Sequence, residues 1–392
     1  MNRAPTYDDR VYSIADLERE GNARMMPMAK DYVNGGSMDL QTVNDNKAAF
    51  DRIRLRPRIM IDVTKVDPSV ECLGRRVAFP LGIGPAAGHG LTHPEGELAT
   101  ARAAVQRGIN MGLSTWSNTS VEDVARIGQA AGTFYVQQLS AVKDAETNLT
   151  IIRRAEAAGF KAVFISVDCP WLGRRLNEQR NSFAYPPHLK WPNVPHIDGA
   201  KLISDDPRTQ YETNLRWEHV KWYKQHTKMQ VWLKGILTGE DAELAVLAGA
   251  DGIICSNHGG RQLDGVCATI DALADIVDAV RSRIPVHVDG GIRRGSDIFK
   301  ALALGADYVW VGRLPFWGLA YKGQAGVKLG LDILYDEFLL CMALMGCRNV
   351  QEIKRTHLAL MGADGRYRPL AEAPTKSQQT TVAHQDDLTV KL

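Results

Sequence analysis

The chain has 392 residues, with 47 Lys and Arg against 45 Asp and Glu, giving a formal net charge of +2. With 45% hydrophobic and 23% charged residues it has enough apolar material to fold, which excludes disorder for the bulk of the chain. So small a net charge argues against a polyanion-binding protein, and no nucleic-acid partner is expected. The six cysteines, Cys72, Cys169, Cys255, Cys267, Cys341 and Cys347, include no C-x-x-C pair. Neither a zinc ribbon nor a thioredoxin-type motif is therefore present, and no metal site is expected. Cys341 and Cys347 fall in an apolar helical segment, where buried thiols are expected, and the compartment reads as reducing.

From the N-terminus, residues 1–10 are polar and carry charge of both signs, so no secretory signal is expected. No apolar run approaches the ~18 residues of a membrane span, so no membrane partner is expected. Residues 13–30 have a helical pattern capped by Ser13, and 44–59 mix helix and turn. Short β-branched runs then recur at 77–84, 110–114, 133–139, 162–167, 231–234, 252–256, 285–288 and 308–311. Uninterrupted apolar runs of this length fit strands covered on both faces. Helix-period segments alternate with them at 94–107, 121–127, 145–158, 239–248, 269–283 and 296–304, most of them stopped by a glycine. Eight such units predict an α/β fold, a (β/α)8 TIM barrel. A doubly wound sheet is the alternative, but no G-x-G-x-x-G follows the first strand.

Residues 169–211 break the rhythm and are rich in Pro, Asn and Arg. A loop that long in a compact domain reads as a functional lid or as a disordered segment. The tail, 371–392, is polar and expected to be flexible. Its last residues, Val390-Lys391-Leu392, approach a small-basic-Leu peroxisomal address, so a cytoplasmic or peroxisomal location is expected. A single domain over 1–392 is expected, with an N-terminal segment to 76, a barrel over 77–360 and the tail.

In a βα barrel the strand C-termini build the site. The sixth strand ends in Ser256-Asn257-His258-Gly259-Gly260-Arg261-Gln262, which sets a His and an Arg three apart on a glycine-flexed turn. Asp168 ends the fourth strand and can orient His258, giving a base whose protonated form is stabilised. Arg175 and Arg261 can converge on a carboxylate, and Lys234 ends the fifth strand. The seventh strand ends in Asp289-Gly290-Gly291-Ile292-Arg293 and the eighth in Gly312-Arg313. Glycine turns with arginine at these two strand ends predict a phosphate cradle.

These motifs, with Phe50-Asp51-Arg52-Ile53-Arg54-Leu55-Arg56-Pro57-Arg58, His93-Pro94-Glu95-Gly96-Glu97 and Asp168-Cys169-Pro170-Trp171-Leu172-Gly173-Arg174-Arg175, closely resemble the FMN-dependent L-2-hydroxy acid oxidases and dehydrogenases, the glycolate oxidase family. The resemblance runs from about Tyr12 to Leu360. It implies a barrel holding FMN and oxidation of a small-molecule 2-hydroxy acid, with O2 or a soluble acceptor taking the electrons. It also implies a homo-oligomer, a tetramer or octamer. His258 would be the base and Asp168 its stabilising carboxylate. Arg261, Arg175 and Tyr32 would bind the substrate carboxylate, and Lys234 would lie near the flavin. Pro85, Ala86, Ala87, Ser114, Gln138, Ser166 and Ser256 would contact the flavin ring. Asp289, Gly291, Arg293, Gly312 and Arg313 would hold the ribityl chain and phosphate.

The chain departs from the family at Gln138-Leu139-Ser140, where a tyrosine is usual in place of Ser140. Ala86 and Gly88 are also smaller than the family's residues. The expectation is a roomier pocket and a substrate larger than glycolate, unless Trp171, Tyr185 or Trp191 of the loop refills the space. An isomerase on the same scaffold and a non-catalytic FMN-binding subunit are the competing readings. A soluble oxidase is favoured over a dehydrogenase.

Overall fold

The computed structural model describes residues 8–129, 131–194, 206, 208–362 and 364–371. Eight parallel strands close into a barrel: β1 Leu81–Ile83, β2 Met111–Leu113, β3 Tyr135–Leu139, β4 Ala162–Ser166, β5 Gln230–Ile236, β6 Gly252–Cys255, β7 Val286–Asp289 and β8 Tyr308–Val311. The barrel shuts where Val309 of β8 registers with Leu81 of β1. Each strand lies inside or overlaps one of the eight apolar runs of the sequence, and the helices between them form the outer layer. This is the (β/α)8 barrel that the alternation predicts.

Alternate side chains of each strand face inward. Phe164, Trp232, His287, Tyr308 and Trp310 fill the barrel with rings. Phe164 and Trp310 meet edge to face at 5.4 Å, and Trp232 and His287 lie 4.4 Å apart. The packing needs glycine at 252, since a Cβ there would come within 2.4 Å of the Trp232 ring. Removing one such ring would cost about 3–5 kcal/mol by cavity formation. A hairpin of Val70–Cys72 and Arg75–Val77 adds Cys72 and Val77 to the same inner cluster.

Three elements differ from the sequence reading. The run expected over 77–84 is two elements, because Val77 ends the hairpin and β1 begins only at Leu81. Ala78, Phe79 and Pro80 lie between them, and the Ala78 N–H leaves the hairpin to donate to the Gly108 carbonyl at 3.0 Å. The helix expected over 13–30 is likewise two, Ile14–Asn22 and Pro27–Asn34. Ser13 caps the first as expected, accepting from Asp16 N at 3.2 Å, and Pro27 opens the second, where its fixed φ is favourable. Cys341 is buried in the helix Leu314–Met345, whereas Cys347 lies past its end, after a left-handed Gly346. All six cysteines are free, and no helix among the described residues is long and apolar enough to cross a membrane. The tail expected to be flexible, with its terminal tripeptide, lies outside the described residues apart from Ala371, as do 195–205 and 207 of the expected lid.

Candidate active site

The C-terminal ends of the strands surround a cavity of about 520 Å³, within the usual range for ligand sites. Every residue predicted to touch cofactor or substrate lines it, except Asp168 and Ser256, which stand behind the wall. Ser256, expected at the ring, lies outside the cavity lining. It is fully buried, and its hydroxyl accepts from Lys234 Nζ at 2.9 Å and from His258 N at 3.1 Å. It therefore positions the two functional side chains on either side of it.

His258 opens a short 3-10 turn whose backbone is held by Asn257, the side chain of which accepts from Gly260 N. His258 itself is left-handed, with φ 57°. A non-glycine residue held there costs of order 1–3 kcal/mol, a strain that recurs at functional sites. Its Nδ1 lies 3.1 and 3.3 Å from the two Asp168 oxygens. That fixes Nδ1 as the donor and leaves Nε2 as the basic nitrogen. Burial pushes the His258 pKa below the usual imidazole value, and Lys234 and Arg175 add to that against the pull of Asp168. The imidazole is neutral at pH 7, the state a base requires.

Burial pushes the Asp168 carboxyl up, but His258 and Lys234 outweigh it and the net shift is down. Lys234 is buried too, which lowers its pKa, yet Asp289 and Asp168 raise it overall and it stays charged. Its ammonium is 3.1 Å from Asp289. Cys169 packs against the pair, with Sγ 3.3 Å from Asp168 Oδ1 and 3.4 Å from His258 Nδ1. Burial holds its thiol well above the ordinary cysteine value, so it serves as a weak donor to Asp168.

Arg261 donates to the Tyr32 carbonyl at 2.6 Å, bonds Glu178 at 3.1 Å, and lies over the Tyr32 ring at 4.7 Å. Arg175 reaches the Arg261 carbonyl at 3.5 Å, and its guanidinium is 3.6 Å from Glu178. The two guanidinium groups thus converge on Glu178 of the helix Leu176–Arg180, their one carboxylate partner among the described residues. Glu178 escapes the sequence reading because the loop around it has no period. Gln262, the last residue of the heptapeptide, ties the loop to the site. It donates to the Asp168 and Trp171 carbonyls and accepts from Gly173 N.

On the floor of the cavity Gln138 links three strands. Its amide donates to Ser140 and Ser166 at 3.0 Å each, while its oxygen accepts from Ser114 and Thr115 N at 3.2 Å each. Across from it lie the glycine turns. Gly290 and Gly291 are both left-handed, and a Cβ at 291 would fall 1.9 Å from the Asn46 carbonyl oxygen. A Cβ at Gly312 would meet nothing within 4 Å, so that turn borders open space. Burial, with Arg293 and Arg261 nearby, brings the Arg313 pKa down to about 9. Arg313 donates to three backbone carbonyls and has no carboxylate partner among the described residues. Asp289 Oδ1 is buried without a hydrogen-bond partner. Clustered cations beside two glycine turns, one of them bordering open space, an orphaned acceptor and an amide-lined floor fit a phosphorylated, polar-edged ring cofactor such as FMN.

Of the three aromatic residues expected to refill the pocket, Tyr185 alone lines it, with Trp191 packed against Tyr185 and Trp116. Trp171 points away and is 77% exposed, while Tyr185 and Trp191 are buried. A Cβ at Gly88 would come within 2.9 Å of Tyr185 Cε1, so Tyr185 occupies the space that Gly88 leaves.

A family model for FMN-dependent dehydrogenases matches residues 21–360. The chain is 44% identical over 369 residues to Oxidase FUB9 of Gibberella moniliformis, covering 93% of this chain and 95% of that one. It is 45% identical over 356 residues to glycolate oxidase of Spinacia oleracea, covering 89% and 96%. Mandelate oxidase solved with benzoyl-formic acid superposes with a TM-score of 0.82 at 41% identity, covering 89% of this chain and 99% of that one.

Proposed function

The chain belongs to the FMN-dependent dehydrogenase family, and on that premise we propose that it is an oxidase that converts an L-2-hydroxy acid larger than glycolate to the 2-oxo acid. The observation that carries the reaction type is the juxtaposition, in one cavity, of the Asp168–His258 pair and the Arg175–Arg261 pair. Arg175, Arg261 and the Tyr32 side chain hold the substrate carboxylate, which fixes C2 relative to His258. His258 Nε2 takes a proton from the substrate, and Asp168 stabilises the imidazolium that results. FMN, when bound, supplies the two-electron acceptor that O2 reoxidises, releasing hydrogen peroxide. Lys234 offers a fixed positive charge to that group, and Gln138, Ser114 and Ser166 offer its ring their polar edges. Gly291, Gly312, Arg293 and Arg313 provide the phosphate end.

The substrate-size reading rests on the apolar wall. Beyond the arginines the cavity is faced by Trp116, Leu172, Phe183 and Tyr185, and Ala86 and Ser140 are both small. Tyr185 removes the part of the argument that rested on Gly88, and Tyr211, which lines the cavity with Ser140, removes the part that rested on Ser140, leaving Ala86 and the apolar wall to carry it. Each further buried methylene of substrate gains ~0.8 kcal/mol, about fourfold in kcat/KM. The test is a series from glycolate through lactate to longer and aryl L-2-hydroxy acids. A steady rise supports the reading, and a maximum at glycolate refutes it.

A further inference from the structure

The long loop after β4 returns to the barrel at Tyr211, and its return is built. Val142 and Tyr211 form an isolated antiparallel bridge. On either side of it, Lys143 N donates to the Gln210 carbonyl at 2.9 Å and Glu212 N to the Ala141 carbonyl at 2.8 Å. Lys143 Nζ adds a bond to Gln210 Oε1 at 2.8 Å. The segment 210–212 is thus stitched to 141–143, immediately after Ser140. Ser140 is short and pinned, with its hydroxyl accepting from Gln138 and its N–H donating to Thr115 Oγ1 at 3.0 Å.

The Tyr211 side chain lies in the wall of the active-site cavity together with Ser140, Trp116, Arg175 and His258. It meets Trp116 edge to face, with centroids 6.3 Å apart. Trp116 contacts Trp191, Trp191 contacts Tyr185, and Tyr185 contacts Tyr32, so Tyr211 ends an arc of rings that starts at the expected carboxylate site. Burial raises the Tyr211 pKa, against the opposing charge of Arg175. It is a neutral phenol at working pH, with one proton to donate. The buried Trp116 Nε1 has no partner at hydrogen-bond distance.

We propose that Tyr211 is a substrate-binding residue: its phenol, delivered by the loop after β4 into the space beside the short Ser140, donates a hydrogen bond to the carboxylate end of the bound 2-hydroxy acid next to Arg175. The proposal rests on the hydroxy-acid oxidase reading. It assigns the loop a chemical part in the site, since the segment that carries Tyr211 is bonded to 141–143 beside Ser140.

The probe is oxalate, which presents a carboxylate to the arginines and cannot be oxidised by this reaction. Binding is read from the flavin absorbance change of the oxidised holoenzyme, with FMN content confirming that each variant is folded. Tyr211→Phe should weaken oxalate binding about ten- to a hundredfold, the range for a hydrogen bond to a charged group. It should raise KM for the 2-hydroxy acid by a similar factor with a smaller effect on kcat, because the bond is made in both ground and transition states. Ser140→Tyr alone should impair binding, because two phenols would compete for one space. Ser140→Tyr with Tyr211→Ala should recover at least tenfold of that loss. Oxalate binding by Tyr211→Phe within twofold of wild type, or strictly additive effects at 140 and 211, would overturn the proposal. If wild-type holoenzyme neither binds oxalate nor is reduced by any 2-hydroxy acid, the functional reading itself fails and this proposal with it. Reduction of wild type by a 2-hydroxy acid, with Tyr211→Phe unaffected, isolates the failure to Tyr211.

Discussion

At the scale of single residues, His258 is held by three constraints: a left-handed backbone, the Ser256 hydroxyl on its N–H, and Asp168 on its Nδ1. Its role as base is separable from cofactor retention, because the phosphate end of the cavity uses other side chains. His258→Ala should therefore keep its flavin and lose ~10²–10⁴-fold in anaerobic flavin reduction. A variant retaining near wild-type reduction would remove His258 from the mechanism. The lowered pKa of His258 also sets a pH dependence. The neutral base persists below the ordinary imidazole value of ~6.5, so the acid limb of kcat/KM should lie below that pH, with activity falling as His258 protonates. Asp168 pulls that pKa upward, so Asp168→Asn should move the limb to still lower pH while slowing reduction. A limb at or above pH 6.5 in wild type would contradict the assignment. The residues of this centre were readable from the sequence because each sits at a strand end within a dense motif. Glu178 and Tyr211 were not, since their partners are brought to them only by a loop without periodicity.

At the scale of elements, the strand ends divide the labour. β4 to β6 supply acid–base and charge groups, whereas the turns after β7 and β8 are shaped to let an anion approach. Gly312 tests that division. A Cβ there meets no protein atom within 4 Å, so Gly312→Ala should fold with an unchanged far-ultraviolet spectrum yet bind FMN more weakly. Unchanged FMN affinity would place the phosphate elsewhere. The strands were legible because their apolar runs are buried on both faces, which leaves no ambiguity of period. The hairpin before β1 was not, because Val77 and Leu81 read as one apolar run, with only Ala78, Phe79 and Pro80 between them. The loop after β4 was legible as a break in the βα rhythm by its length alone. Its aromatic content could not be placed, and Trp171 and Tyr185, equal candidates in sequence, go to opposite sides of the wall.

Taken as a whole, the molecule packs rings inside the barrel and polar groups at its mouth. His287 belongs to the packed part. The Trp310 indole N–H donates to its Nδ1 at 3.1 Å, and burial brings its pKa down to about 3. The folded state thus holds this imidazole neutral, while the unfolded chain protonates it below ~6.5. Its contribution is complete above that pH and is lost as pH falls toward 3. The melting temperature should fall over that window, and His287→Gln, which keeps an acceptor for Trp310, should flatten part of the slope. An identical slope in the variant would show that other groups govern acid stability.

The central claim is that the mouth of this barrel joins a carboxylate clamp, a base and FMN into a hydroxy-acid oxidase. The measurement that tests it most directly is anaerobic titration of the holoenzyme with an aryl L-2-hydroxy acid, followed by admission of O2. The account predicts loss of flavin absorbance with one 2-oxo acid formed per flavin, then recovery of colour with one hydrogen peroxide released. Flavin that stays oxidised under excess L-2-hydroxy acid, across the whole substrate series, would contradict it.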